Sequence, residues 1–304
     1  MNYKKIIKRR STRAGILRAL RFIPDEPMIK LQYFIKMNRR LDLKNPRRFT
    51  EKMQWYKLYY RNPLMVRCAD KADVREYVRS KGLEEILIPC IGVYDAPEQI
   101  DWDALPERFV LKDTLGGGGN AVILVRDKAK ADRAALTQRM RAWVSRDVHR
   151  KSGGREWPYH EGKNSRIIIE ELLTEGDSSA LTEYKFFCFN GRTEFLYVMK
   201  DRKLGESVKL GIFGREFNKL PVLRDGDADI GETEKPANFD RMLEIAEILS
   251  ADFPHVRVDL YSVGGAIRFG ELTFFNASGY MKYTPDDFDI EIGDKWKLPE
   301  KNHR

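Results

Sequence analysis

Apolar residues recur at helical spacing through residues 28–60. The run M-I-K-L-Q-Y-F-I-K-M comes first, and Met53, Trp55, Tyr56, Leu58 and Tyr59 then give a second helix a bulky apolar side, with Thr50 placed to cap it. D-K-A-D-V-R-E-Y-V-R-S-K-G (70–82) reads as a helix closed by Gly82, and helices are also expected at 129–144 and 239–250. Elsewhere the apolar runs are short and β-like: 86–94, 108–112 and 166–173. Residues 183–198 form a hairpin turned at Asn190–Gly191, and 255–275 another turned at Gly264–Gly265. The intervening stretch 149–164 is polar and glycine-rich and reads as a loop. Helices and antiparallel hairpins in this order predict an α+β fold.

Composition narrows this reading. At 304 residues the chain is long enough for more than one lobe, and no apolar run approaches the roughly 20 residues of a membrane span. Three widely spaced cysteines (Cys68, Cys90, Cys188) and four scattered histidines argue against a disulfide framework or a zinc site, and suggest a reducing cytoplasm. The net charge of +9 is concentrated: residues 1–24 hold eight Lys/Arg and no acid. That segment lacks the uninterrupted apolar core of a signal peptide. Its interleaved Ile6, Ile7, Ile16, Leu17, Leu20 and Ile23 suit either a basic amphipathic helix on an anionic membrane or a helix packed on the protein. The rest of the chain is nearly balanced, so no specific nucleic-acid binding is expected.

The segment F-V-L-K-D-T-L-G-G-G-G-N (109–120) breaks the β pattern with four consecutive glycines after a strand that ends in Lys112. Such a run is costly in chain entropy, and suits a backbone that must approach a ligand closely or move. Bare N–H groups cradle phosphate oxygens, and a lysine beside them supplies point charge. The lysine precedes the glycines, which excludes the G-x-x-x-x-G-K-[ST] loop, and V-I-L-V then resumes a strand, which excludes a βαβ dinucleotide turn. A flexible surface hairpin is the alternative. The 255–275 hairpin sets Asp259 near Glu271, with Arg257 on the face of Asp259 and Thr273 on the face of Glu271. Two adjacent carboxylates repel unless a cation lies between them, so the group suits Mg²⁺ or a structural ion-pair cluster.

With L-K-N-P-R-R-F-T-E-K-M-Q-W-Y-K-L-Y, D-K-A-D-V-R-E-Y-V, G-R-E-W-P-Y, R-I-I-I-E-E-L-L, Y-K-F-F-C-F-N-G, V-R-V-D-L-Y and G-E-L-T-F in the same order, the chain resembles the TupA-like ATP-grasp family over about residues 35–299. The family is named for teichuronopeptide biosynthesis. The resemblance implies two α+β lobes clasping ATP behind an N-terminal helical region. The implied divisions are a basic segment (1–27), a helical region (28–107), a lid subdomain with the glycine loop (108–172) and a C-terminal subdomain with a Mg²⁺-binding hairpin (173–304). It implies Lys71 near the α-phosphate, Lys112 between adenine and phosphates, and Gly116, Gly117, Gly118 and Gly119 as the lid loop. Glu170, Glu171, Leu172 and Leu173 correspond to the hinge that reads the adenine edge, and Asp177 or Glu183 to the ribose acid. Lys185 would reach a phosphate or the substrate, Arg257 would neutralise transferring charge, and Asp259 and Glu271 would hold Mg²⁺. Where many relatives carry E-x-N, this chain reads E-L-T-F-F-N, leaving Thr273 or Asn276 to complete the metal shell.

The implied chemistry is phosphoryl transfer from ATP to a carboxylate, followed by attack of an amine. The acceptor would be a uronic-acid carboxylate of a cell-surface polysaccharide. A sugar or glycan kinase and a non-catalytic ATP-binding membrane-surface scaffold are the competing readings. The expected location is the cytoplasm, peripheral at the inner membrane face.

Overall fold

A computed structural model describes residues 20–117, 121–145, 154–159, 161–162, 164–174, 181–200 and 209–303. Most of the basic N-terminal segment, Gly118, Gly119 and Asp177 lie outside these residues. Four helices open the described chain: α1 (Asp25–Met37), α2 (Phe49–Tyr59), α3 (Pro63–Ala69) and α4 (Val74–Ser80). Thr50 does not cap α2. It lies inside the helix, where its hydroxyl donates to Asp289 at 2.7 Å and pairs with Tyr33 at 2.8 Å, while Glu51 accepts from the Arg47 and Arg48 N–H groups in front of the helix. Gly82 does end its helix, in the left-handed region at φ 72°. The helix itself starts only at Val74, because the Asp70 carboxylate accepts from the Ala72 and Asp73 N–H groups and holds that stretch as a turn.

Two sheets follow. The smaller is antiparallel and joins β1 (Cys90–Tyr94), β2 (Phe109–Asp113), β3 (Val122–Val125) and β4 (Ile167–Glu171) in the order β1-β4-β2-β3. β1, which the sequence reading assigned to the helical region, is thus an edge strand of this sheet. Period-two alternation divides its faces. Phe109, Leu111, Ile123, Val125, Ile167 and Ile169 pack with Met140 and Trp143 of α5 (Arg133–Val144) in one core. Val110, Lys112, Val122 and Leu124 point the other way, into a cleft.

The larger sheet runs β11-β10-β5-β6-β7-β9, built from β5 (Glu183–Phe189), β6 (Arg192–Lys200), β7 (Lys209–Gly214), β9 (Ala228–Asp229), β10 (His255–Val263) and β11 (Ala266–Thr273), while β8 (Leu223–Arg224) pairs separately with β12 (Tyr283–Thr284). Asn190 and Gly191 both have positive φ, as do Gly264 and Gly265, so both predicted hairpins turn where the sequence placed them. α6 (Phe239–Ser250) covers one face: Phe186 meets Phe239 at 5.9 Å, and Met242, Ile245, Ala246 and Leu249 are buried. Half of the other face lies under α2 and α7 (Phe288–Lys295), where Phe187, Phe189, Phe195 and His255 surround Phe49. β12 (Tyr283–Thr284) lies just before α7. The remaining half is polar and faces the smaller sheet across the cleft.

Candidate functional site

The cleft is lined from both sheets. One end is apolar: Ile88, Val110, Leu124, Leu172, Leu173 and Leu181. The ladder of β4 stops at Glu171, so Leu172 and Leu173 lie just beyond it on the cleft wall. The other end carries charge. Lys71, Lys112, Lys185, Glu183, Asp259 and Glu271 line it, with Gly116 and Gly117 at the rim.

The base of the glycine loop is tightly held. The Asp113 N–H donates to Ala121 at 2.9 Å, Thr114 N–H to Arg166 at 2.9 Å, and Lys71 N–H to Thr114 at 3.0 Å. The Lys71 ammonium donates to the carbonyls of Asp113 (3.2 Å), Thr114 (3.4 Å) and Gly116 (2.5 Å). Burial draws its pKa below the ordinary lysine range. A Cβ on Gly116 would lie 2.1 Å from the Ala121 Cβ, whereas one on Gly117 would meet nothing within 4 Å. Only the first of these two glycines is demanded by packing.

Lys112 pairs with Glu170 at 2.5 Å, and Arg75 of α4 holds the other oxygen of Glu170 at 3.0 Å. Glu170 therefore positions a lysine, while Glu171 beside it is exposed at the cleft. Arg75 escaped the sequence reading: a helical arginine looks solvated until the fold supplies its partner from β4.

Asp259 on β10 is the Cα partner of Lys185 on β5 and of Glu271 on β11, and the three form one row across three strands. Lys185 pairs with Asp259 and, at 2.5 Å, with Glu183. Arg257 donates to both oxygens of Asp259 (2.6 and 2.7 Å) and to Glu271 at 2.9 Å. Thr273 donates to the same Glu271 oxygen at 3.0 Å. Burial pushes the Glu271 pKa up, but Arg257, Lys71 and Lys185 outweigh it and hold it at about 2. Glu271 is thus a carboxylate at any ordinary pH, and it is the more open member of the pair, with its side chain 39% exposed against 4% for Asp259.

A β-bulge follows the row: Asp259 pairs with Glu271, but Leu260 pairs with Phe269, leaving Gly270 as the extra residue. A Cβ on Gly270 would come within 3.0 Å of the Asp259 carbonyl. The bulge changes the phase of β11, so that Phe269 is buried while Glu271 and Gly270 face the cleft.

Asn276 does not lie on the cleft wall. It is buried behind Arg257, its Oδ1 accepting from Arg257 Nη1 and its Nδ2 approaching the Met281 sulfur at 2.6 Å. The following Ala277 and Ser278 have φ of 46° and 55°, left-handed conformations that cost about 1–3 kcal/mol each in non-glycine residues. Two polar side chains of α2 hold this turn. Gln54 donates to the Ser278 and Gly279 carbonyls at 3.0 and 2.9 Å, and Lys57 to the Ser278 carbonyl at 2.9 Å. Burial lowers the Lys57 pKa to about 7, against some support from Glu156, which accepts from the Ser278 hydroxyl. The signal for these two residues was available: α2 carries aromatic residues over too wide an arc for one face, so its polar residues are buried with them.

Among the described residues no cluster of three or more His, Cys, Asp or Glu is arranged for a metal. Asp259 and Glu271 supply two carboxylates, the set with which Mg²⁺ is held when phosphate oxygens and water complete its shell, so the donor chemistry fits that ion.

The family described as TupA-like ATPgrasp matches residues 51–297. No curated protein matches the chain. Among solved structures it is similar to D-alanine–D-alanine ligase from Bacillus anthracis, with 17% identity and a TM-score of 0.43 over 74% of this chain and 59% of that one. It is similar to D-alanine–D-alanine ligase from Helicobacter pylori at 12% identity and a TM-score of 0.43, covering 83% and 68% of the two chains. D-cycloserine synthetase DcsG follows at 13% identity and a TM-score of 0.42, covering 77% and 72%. The chain spans about three fifths of the length of the Bacillus anthracis ligase. The family match runs from within α2 to just past α7, through both walls of the cleft: the chain belongs to the TupA-like ATP-grasp family.

Proposed function

We propose that this protein is an ATP-dependent ligase that activates a carboxylate as an acyl phosphate, releases ADP, and joins the acyl group to an amine with release of phosphate. The observation that carries this reading is the cleft itself, apolar at one end and lined at the other by three lysines and a carboxylate pair. The apolar end suits a purine base, with the Glu171–Leu173 backbone along its edge. Lys71, Lys112 and the amides of the glycine loop suit the phosphates, and Asp259 with Glu271 would hold Mg²⁺. A bound Mg²⁺ would neutralise phosphate charge. Lys185 and Arg257, held by Glu183, Asp259 and Asn276, would stabilise charge on the transferring group. In this reading Asn276 acts by aiming Arg257, and Asp259 and Glu271 would be the protein's ligands to the metal. No protein nucleophile is needed. Cys188 is fully buried, with its thiol pushed up to about 12 by burial, which suits a core residue.

For the acceptor we take a uronic-acid carboxylate of a cell-surface polysaccharide or its precursor, on the ground of family kinship. We place the protein at an anionic membrane surface, reached by the basic N-terminal segment.

The test is a screen of uronic acids against amino acids and polyamines, reading ADP, free phosphate and product mass. The expected result is equimolar ADP and phosphate with a product whose mass fits an amide. A stable phosphorylated sugar with ADP and no free phosphate would make the protein a kinase. ATP binding with no turnover of any acceptor pair would leave the scaffold reading.

A further inference from the structure

Seven large apolar side chains are exposed among the described residues, and four of them, Phe22, Leu31, Phe34 and Ile35, fall in α1 and the turn before it. Single exposed apolar residues are ordinary, whereas a grouped set marks a contact surface. Leu31, Phe34 and Ile35 stand at i, i+3 and i+4, on the side of α1 opposite Met28, Ile29, Gln32, Tyr33 and Met37, which are buried on the protein. α1 is therefore apolar on both sides.

From this we infer that the outer face of α1 inserts into an anionic lipid surface, with Phe34 at its centre. The inference rests on the membrane reading above and assigns the apolar part of the contact to described residues. Charge decides the occupant. The eight cations of residues 1–24 run directly into α1, and Arg40 is exposed just past its end. The two acids of the first turn are neutralised, Asp25 by Arg155 at 3.0 Å and Glu26 by Lys30 at 2.6 Å. A second copy of this chain would set one basic segment against another. An anionic bilayer instead accepts aromatic and aliphatic side chains and attracts the lysines and arginines beside them.

The experiment is cosedimentation of the full chain with vesicles of phosphatidylcholine alone and of phosphatidylcholine with phosphatidylserine. It compares wild type, the double variant Leu31→Ser/Phe34→Ser, and a variant with Lys4, Lys5, Lys8, Arg9 and Arg10 all changed to Gln. Wild type is expected to bind the anionic vesicles. The double variant should bind them about tenfold more weakly, with an unchanged thermal midpoint and a retained salt dependence. The charge variant should lose the salt dependence. If the double variant binds like wild type while the charge variant does not, the insertion is wrong and the electrostatic contact stands. If wild type ignores anionic vesicles, both fail. Phe34→Trp adds one indole to five buried native tryptophans, and the emission of the variant minus that of wild type should be that of an exposed indole and shift to the blue on adding anionic vesicles. A difference emission already blue without vesicles, or a dimer abolished by the double variant, would show that protein covers this face and would overturn the inference.

Discussion

Lys57 shows how one side chain connects the helical region to the site. Its pKa of about 7 lies below the ordinary 10.5, so the folded state binds fewer protons than the unfolded state between those values. Burying the ammonium therefore costs stability fully below about 7, and the cost fades as pH rises towards 10.5. Wild type should gain thermal stability relative to Lys57→Met on going from neutral to alkaline pH. A difference that stays flat would mean that Lys57 is an ordinary lysine. Lys112 has the opposite character, because it lines the cleft and its partner Glu170 keeps Arg75 when it is removed. Lys112→Ala should lower turnover about 100-fold or more with little change in midpoint, measured by ADP release and by thermal unfolding. Glu271→Gln should raise the Mg²⁺ needed for half-maximal turnover. A stability loss with unchanged Mg²⁺ dependence would make the carboxylate pair a purely structural ion-pair cluster. The nearness of Asp259 and Glu271 was legible from the Gly264–Gly265 turn between them, but their common row needs the bulge at Gly270, and Lys185 was placed by the family resemblance alone. The burial of Asn276 was not legible, because it depends on the left-handed turn at Ala277–Ser278, which α2 imposes from far away in sequence.

Elements were read well where local chemistry dictates them. Asn-Gly and Gly-Gly turns, the Gly82 stop and the helix at 239–250 all need only near neighbours. α7 was missed because F-D-I-E-I-G-D-K alternates with period two, like a strand. As a helix it presses Gly293 on the start of α2, where a Cβ would sit 2.1 Å from the Arg47 carbonyl oxygen. β7 was missed because two of its six residues are glycines. The one at 211 makes room for Ile230, whose side chain would lie 2.5 Å from any Cβ there. The glycine loop gives the sharpest test of an element. Gly116→Ala must displace Ala121 or Asp113, and should weaken ATP binding at least about tenfold in a calorimetric titration. Gly117→Ala points into open space and should bind nearly as wild type. Equal losses from both substitutions would point to loop entropy rather than packing at the rim.

The described residues form two separate apolar cores, one between the four-stranded sheet and α5, the other around the six-stranded sheet and the helices on its two faces. Calorimetry should therefore resolve two unfolding steps. Leu111→Ala, in the smaller core, and Leu249→Ala, in the larger, should each lower a different step, by about 2–5 kcal/mol of local stability. A nucleotide bound across the cleft touches both lobes and should draw the steps together. Both variants shifting a single step equally would show one cooperative unit. The row Lys185–Asp259–Glu271 carries a consequence for assembly. The Gly264–Gly265 turn and the bulge at Gly270 set the β10–β11 register that brings Asp259 and Glu271 together, but Lys185 arrives only when β5, distant in sequence, docks in the right phase. A docking error of one residue would drive the lysine into the apolar layer beneath α6 and leave the two carboxylates uncompensated. The charges that suit phosphate chemistry thereby act as a checksum on the sheet: a chain that misaligns its strands loses its charged row and its folded core in the same stroke.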